Sequence, residues 1–277
     1  MCRVTVACMG ALLVAAAWGT CAHAGAWTQK AGGSYLKIAT AYLNSSSDID
    51  SNGDRVPKAG MGELRDVNLS AYIEYGLTDR LTLVGSIPYK RLRDIRTFAT
   101  GRALERRSGF GDMELRLRWR LVEKSTVVSL AAGGKLPMWY ADDPQSRVPL
   151  NSRKVDADLR LLVGRSLYPF PVYVTGELGF RARTGGFGNE AIYGLEAGAT
   201  LGRFLLKGFV SGIQTLGECA PTGEVGLVGD QSVLKLSPGV IYRLKDWLEL
   251  SAELIHVAWG CNTTAGSTYL VGIALKR

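Results

Sequence analysis

The side chains with the most chemistry in this chain come at every second position. Asp112, Glu114, Arg116, Arg118 and Arg120 alternate with Met113, Leu115, Leu117, Trp119 and Leu121. Lys154, Asp156, Asp158 and Arg160 alternate in the same way with Val155, Ala157, Leu159 and Leu161. Glu74, Glu177, Arg181, Arg183, Glu249 and Glu253 stand in shorter runs of the same kind. Acidic and basic ladders have two uses. Lining a water-filled space, they form a transverse field that orients a polar or anionic solute. Packed together across strands, they neutralise each other and fill the space. Neither use requires a catalytic residue, a metal or a cofactor, and none is expected.

Three other groups offer narrower chemistry. His256 is the only histidine beyond the first two dozen residues, and its parity with Leu254 points it away from the charged face. A histidine base beside a serine nucleophile would serve a lipid hydrolase, but Ile255, Val257 and Ala258 supply no His-x-Ser arrangement. Asp48-Ile49-Asp50-Ser51-Asn52-Gly53-Asp54 copies the first half of a calcium loop, yet Ala59 stands where the bidentate Glu belongs, so a polar exposed turn is expected, with weak calcium binding as the lesser option. Cys219 and Cys261 remain after the leader's cysteines are set aside, and an even pair in an oxidising compartment predicts a disulfide between two neighbouring long loops.

The elements that must position these groups are strands. An alternation of apolar and charged residues without a miss has period two, whereas a helix would spread the arginines of residues 112–120 around its circumference. The register recurs at Val67, Leu69, Ala71, Ile73 and Tyr75, at Leu248, Leu250, Ala252 and Leu254, and at Tyr269, Val271, Ile273 and Leu275. Twelve strands of membrane-crossing length are expected. Their connections alternate short and long: residues 76–80, 122–125, 168–171, 201–203 and 244–246 against 44–64, 91–109, 137–153, 216–230 and 260–266, with 184–189 shorter than its place predicts. That rhythm belongs to an up-and-down barrel with short periplasmic turns and longer outer loops. The fold expected is all-β, a transmembrane antiparallel barrel of about twelve strands, apolar outside and charged inside. Loops 91–109 and 137–153, both carrying arginines, are candidates to fold inward as a constriction. Trp27, Tyr75, Tyr89, Trp119, Trp139, Tyr140, Tyr168, Phe170, Tyr242, Trp247 and Trp259 fall near strand ends and are expected to form girdles at the headgroup level.

Composition agrees with this class. Arg3, the small and apolar run 4–19 and Ala22-His23-Ala24 read as a secretory signal over residues 1–24, leaving a barrel over residues 25–277. No later stretch is apolar for long enough to span a bilayer as a helix, although 47% of the chain is hydrophobic. The net charge of +8 is spread along the chain instead of gathered in a tract, which argues against nucleic acid and for anchors toward lipopolysaccharide phosphates. No plug domain is expected ahead of the first strand, so energy coupling is not implied.

Tyr75-Gly76-Leu77-Thr78-Asp79-Arg80-Leu81-Thr82-Leu83, then Ile87-Pro88-Tyr89 and Ser108-Gly109-Phe110-Gly111-Asp112-Met113-Glu114-Leu115, resemble blocks of the outer-membrane barrels named for the meta-cleavage pathway of phenol degradation. The resemblance is clearest over residues 69–121. It implies an outer-membrane channel or transporter for passive passage of small solutes, aromatic or hydrophobic ones among them, and it carries over no catalytic residue. The partners it implies are outer-membrane lipid, lipopolysaccharide, the barrel assembly machinery and a small-molecule solute. A structural or adhesive barrel with a closed lumen is the alternative, and a barrel-borne lipid-modifying enzyme a further one. Many such barrels end on an aromatic residue; this chain ends Leu275-Lys276-Arg277, so either that signal is degenerate or Tyr269 and Leu275 serve.

Overall fold

The computed structural model describes residues 25–138, 150–219 and 230–277. Residues 1–24, the expected signal, together with Trp139, Tyr140 and most of the connection 137–153, lie outside the described residues. In chain order the strands are β1 (Ser34–Ser45), β2 (Ser47–Ile49), β3 (Arg55–Pro57), β4 (Glu63–Thr78), β5 (Leu81–Phe98), β6 (Gly101–Phe110), β7 (Met113–Glu123), β8 (Thr126–Leu136), β9 (Asp156–Ser166), β10 (Val172–Arg183), β11 (Glu190–Leu201), β12 (Phe204–Thr215), β13 (Ser232–Lys245), β14 (Leu248–Cys261), β15 (Thr263–Thr264) and β16 (Ser267–Lys276).

Thirteen strands form one antiparallel sheet, and twelve of them close into a barrel. Each of the twelve pairs with its neighbours in the chain, and β1 returns to β16 through a register running from Tyr35↔Lys276 to Leu43↔Thr268. Closure leaves the twelve-strand wall without an unpaired edge, the condition for a sheet to cross hydrocarbon. The thirteenth strand is β6. It takes over from β7 as the partner of β5, which pairs β7 from Leu81↔Trp119 to Ser86↔Glu114 and β6 from Tyr89↔Phe110 to Phe98↔Gly101.

Residues 91–109, expected as an inward-folding loop, are therefore a straight hairpin that carries the barrel wall past its rim. The physical reason is pairing: Leu92 and Asp94 continue the inward parity of β5, and the ladder with β6 satisfies backbone groups that a loop would leave to water. β2, β3 and β15 make a separate small sheet that links the first and last connections on that rim.

The opposite rim has only tight connections: residues 79–80, 124–125, 167–171, 202–203 and 246–247. The side-chain pattern is inverted relative to a soluble sandwich. Leu69, Leu117, Leu159, Leu178, Leu195 and Val271 are exposed on the outer surface, while Glu74, Asp156, Asp158 and Glu249 are buried inside. Water would reverse that arrangement and acyl chains require it, so the outer face is the lipid face.

Candidate functional site

The lumen is built by register. Arg116 on β7 lies opposite Gly133 on β8, which in turn lies opposite Asp158 on β9. Gly133 projects nothing between them. A Cβ there would come within 2.7 Å of Arg116 Cγ, so the absent side chain is the gap through which Arg116 reaches across a whole strand. Its guanidinium meets Asp158 as a fork, Nε to Oδ1 at 2.7 Å and Nη2 to Oδ2 at 2.8 Å. Lys207, Gly239 and Glu253 repeat the device on β12, β13 and β14, with Lys207 Nζ 2.9 Å from the Glu253 carboxylate.

From Arg116 the pairing runs around half the wall. Asp158 also holds Arg160 at 3.1 Å and Arg181 at 3.6 Å. Arg181 and Arg183 each reach Glu190 at 3.0 Å, and Lys135 reaches Asp156 at 2.8 Å. Arg118 bridges to Glu74 at 3.1 Å, and Arg160 to Glu177 at 3.4 Å. The ladders therefore neutralise each other on the β7 to β11 side of the barrel. Removing one member of such a buried set leaves an uncompensated charge and costs about 3–5 kcal/mol.

The inner face is also occupied by backbone. Residues 25–33 turn back at the tight rim and run up into the lumen against β5, β7, β8, β9 and β10. Gln29 N donates to Thr82 Oγ1 at 2.8 Å and Gln29 Nε2 donates to Glu74 Oε2 at 2.8 Å. Arg118 Nη1 donates to the Trp27 carbonyl at 2.8 Å, and Ser129 Oγ donates to the Ala26 carbonyl. Ala26 is fully buried against Val127, Ala131 and Leu162. Trp27 packs edge-on to Tyr173, the ring centroids 6.0 Å apart. This corrects the expectation for Trp27, which belongs to the lumen and not to a girdle. Gly76 is the residue that admits the segment, because a Cβ there would stand 1.9 Å from the Lys30 carbonyl oxygen. One short strap narrows the barrel.

Beside the strap lies a chamber of about 840 Å³. Tyr35, Tyr72, Tyr173, Phe209 and Trp27 give it an aromatic wall, and Lys37, Lys207, Glu196, Glu249 and Glu253 give it charge. Most of these groups are engaged. Tyr173 donates its hydroxyl to Glu196 at 2.6 Å, and Lys276 and Arg243 both approach Glu249. Lys37 differs: it lines the chamber, and among the described residues no carboxylate lies within 4 Å of its ammonium. A cavity with aromatic walls and one cation without a contact partner suits a small solute with an apolar body and an anionic or electron-rich end.

Of the residues singled out from sequence, Glu74, Glu114, Arg116, Arg118, Arg120, Asp156, Asp158, Arg160, Glu177, Arg181, Arg183, Glu249 and Glu253 stand on strands with their side chains inward. Arg120 sits near the tight rim and pairs with Glu123 at 2.7 Å. Asp112 and Lys154 fall just outside the strands: Asp112 accepts from Ser152 N at 3.0 Å, and Lys154 lies along Gly185. The alternation also held signals that went unread. Glu190 and Glu196 on β11, and Lys37, Lys135 and Lys207, share the inner parity of their strands, but glycine and small residues around them blur the contrast between faces.

The three narrower groups are also placed. Cys219 and Cys261 are joined as a disulfide with Cα atoms 6.4 Å apart, which ties the connection after β12 to the end of β14. Asp48 is buried in an ion pair with Lys58 and accepts from Thr264 Oγ1 at 3.1 Å, so the amine stands where a calcium ion would need that carboxylate. Asp50 Oδ1 caps the amides of Asn52 and Asp54 at 2.8 and 2.9 Å. His256 faces outward and meets Ser267 on β16, Nδ1 to Oγ at 2.9 Å, a neighbour eleven residues away that local sequence did not reveal. Among the described residues no third group orients this pair.

No protein-family model matches the chain, and no curated protein matches it by sequence. Solved structures do match by fold. An outer membrane channel from Pseudomonas putida F1 superposes with a TM-score of 0.63 at 15% identity, over 91% of this chain and 97% of that one. The NanC porin superposes with a TM-score of 0.52 at 7% identity, over 87% of this chain and all of the porin. At such identities the likeness speaks for architecture, and the architecture is that of an outer-membrane β-barrel.

Proposed function

We propose that this chain resides in an outer membrane and passes small solutes down their gradients, aromatic or amphipathic ones among them. The observation that carries this reading is the chamber beside the strap, open to solute-sized occupants and lined by aromatic rings around Lys37. The Pseudomonas putida F1 neighbour is called an outer membrane channel, and the sequence resemblance to the meta-pathway barrels points the same way. The fixed ion pairs along β7 to β11 leave the β12 to β1 side as the route.

Planar-bilayer recording tests it. Refolded protein is expected to give small, discrete conductance steps that an aromatic carboxylate blocks in a concentration-dependent way, and Lys37→Glu is expected to weaken the block and shift ion preference toward cations. A wild-type protein without conductance, and without uptake of aromatics into liposomes, would end the proposal. That result would favour the alternative of a structural barrel with a closed lumen, for which the strap is the supporting observation. The His256–Ser267 contact keeps a lipid-modifying role in view; lipid turnover that disappears in His256→Ala would establish it.

A further inference from the structure

β4, β5 and β6 continue beyond the membrane as a three-stranded blade, and its two faces treat charge differently. On the lipid-side face the rows, read upward, are Leu69↔Tyr89↔Phe110, then Val67↔Arg91↔Ser108, then Arg65↔Arg93↔Arg106. The next row is Glu63↔Ile95↔Leu104, and Arg102 stands one row higher, opposite Thr97. On the other face Asp94 pairs with Arg96 at 3.0 Å.

The lowest row marks the hydrocarbon boundary. Tyr89 and Phe110 are exposed, with rings edge to face at 5.3 Å, the amphipathic contact favoured at a membrane interface. Successive rows on one face of a strand are about 7 Å apart along it, so after strand tilt the arginine rows stand at headgroup height.

Like charges placed directly opposite on a sheet destabilise it, yet Arg65, Arg93 and Arg106 are direct cross-strand neighbours. The sole carboxylate on this face of the three strands is Glu63, and Arg65 already holds it at 2.7 Å. That hydrogen bond keeps the Glu63 carboxyl below its usual range, hence ionised and spoken for. Arg91, Arg93, Arg102 and Arg106 have no carboxylate within 4 Å among the described residues, and Arg93 Nε is buried without an acceptor. All five cations are arginines, whose planar fork matches phosphate oxygens two at a time.

We propose that this arginine face binds the phosphate groups of a phosphorylated glycolipid in the outer leaflet. A phosphate seated over Arg93 and Arg106 would accept from their terminal guanidinium nitrogens and relieve the repulsion within the row, while the acyl chains lie along the apolar wall below Tyr89 and Phe110. The inference rests on the outer-membrane location and is independent of whether the lumen conducts.

The test is a titration of the refolded full-length chain in mixed micelles with bis-phosphorylated lipid A, read by native mass spectrometry. Dephosphorylated lipid A and phosphatidylglycerol serve as the other arms. Saturable binding of the bis-phosphorylated lipid is expected, weakened about tenfold for each guanidinium removed in Arg93→Gln and Arg106→Gln. Arg106 is exposed at the outer edge of the blade, so the single variant serves if the double one does not fold. Equal binding by wild type and variants would overturn the proposal, as would dephosphorylated lipid A or phosphatidylglycerol binding as tightly as the phosphorylated form. No conductance is measured, so failure of the channel reading would leave this result standing.

Discussion

Arg116 and Asp158 meet through a fork of two hydrogen bonds, 2.7 and 2.8 Å long, across a strand to which neither belongs. The contact depends on Gly133, the β8 residue between them, having no side chain.

That dependence gives the first prediction. Gly133→Val inserts a branched side chain where even a Cβ lies 2.1 Å from the Leu115 carbonyl oxygen, so the barrel is expected to misfold or unfold at much lower urea. Asp158→Asn keeps the shape but leaves Arg116, Arg160 and Arg181 sharing one uncharged partner, at an expected cost of about 3–5 kcal/mol. Urea unfolding in micelles, followed by tryptophan fluorescence, measures both. An Asp158→Asn protein as stable as wild type would mean that the network contributes little.

The second prediction concerns the inverted surface. Leu117 lies midway along β7 with its side chain exposed between inward Arg116 and Arg118. Leu117→Arg places a charge among acyl chains and is expected to cost about 2–4 kcal/mol of folding into bilayers, with little effect on an inward position such as Ser86→Arg if it finds water. Folded yield into lipid vesicles, read by heat-modifiable migration in gels, distinguishes the two. Similar yields for both variants would mean that the outer face does not meet lipid.

The strap supports a third. Trp27→Ala removes the ring that packs on Tyr173, and Gln29→Ala removes the Nε2 donor to Glu74. Together they are expected to loosen the segment and raise single-channel conductance, with the unfolding midpoint changed far less than by Asp158→Asn because the wall strands pair without it. Unchanged conductance would show that the strap does not limit the open area.

A fourth concerns the crosslink between Cys219 and Cys261. Reduction frees the connection after β12 from the end of β14, so proteolysis there is expected to quicken while the barrel strands stay protected. Limited digestion with and without reductant, with mass spectra of the peptides, reports it. Two alkylatable thiols in the unreduced protein would overturn the bridge.

Much of the fold was legible in the residues because period-two alternation is a local property. Asp112 to Leu121 needs no distant partner to declare a strand with one charged face, and the short turns between strands declare which neighbours are antiparallel. β5 runs on past residue 91, but Arg91 and Arg93 take the outward parity that Leu83, Ile87 and Tyr89 hold below them, so the apolar face that declares a wall strand stops there. Trp27 was misplaced for a related reason: a ring near a strand end belongs to a girdle only if its strand runs on in register, and the strap is not a strand.

Outside residues 91–109, the sequence by itself determined where the wall strands lie, the separation of greasy from ionic faces and the order of turns, since each follows from covalent neighbours and the pleat. Closure decided the rest. Which arginine finds which carboxylate, why Lys37 meets none among the described residues, that Ser267 stands beside His256, and that residues 25–33 occupy part of the space the wall encloses all depend on register summed around twelve strands. A shift of one residue in any of those registers would exchange the two faces and change every such meeting.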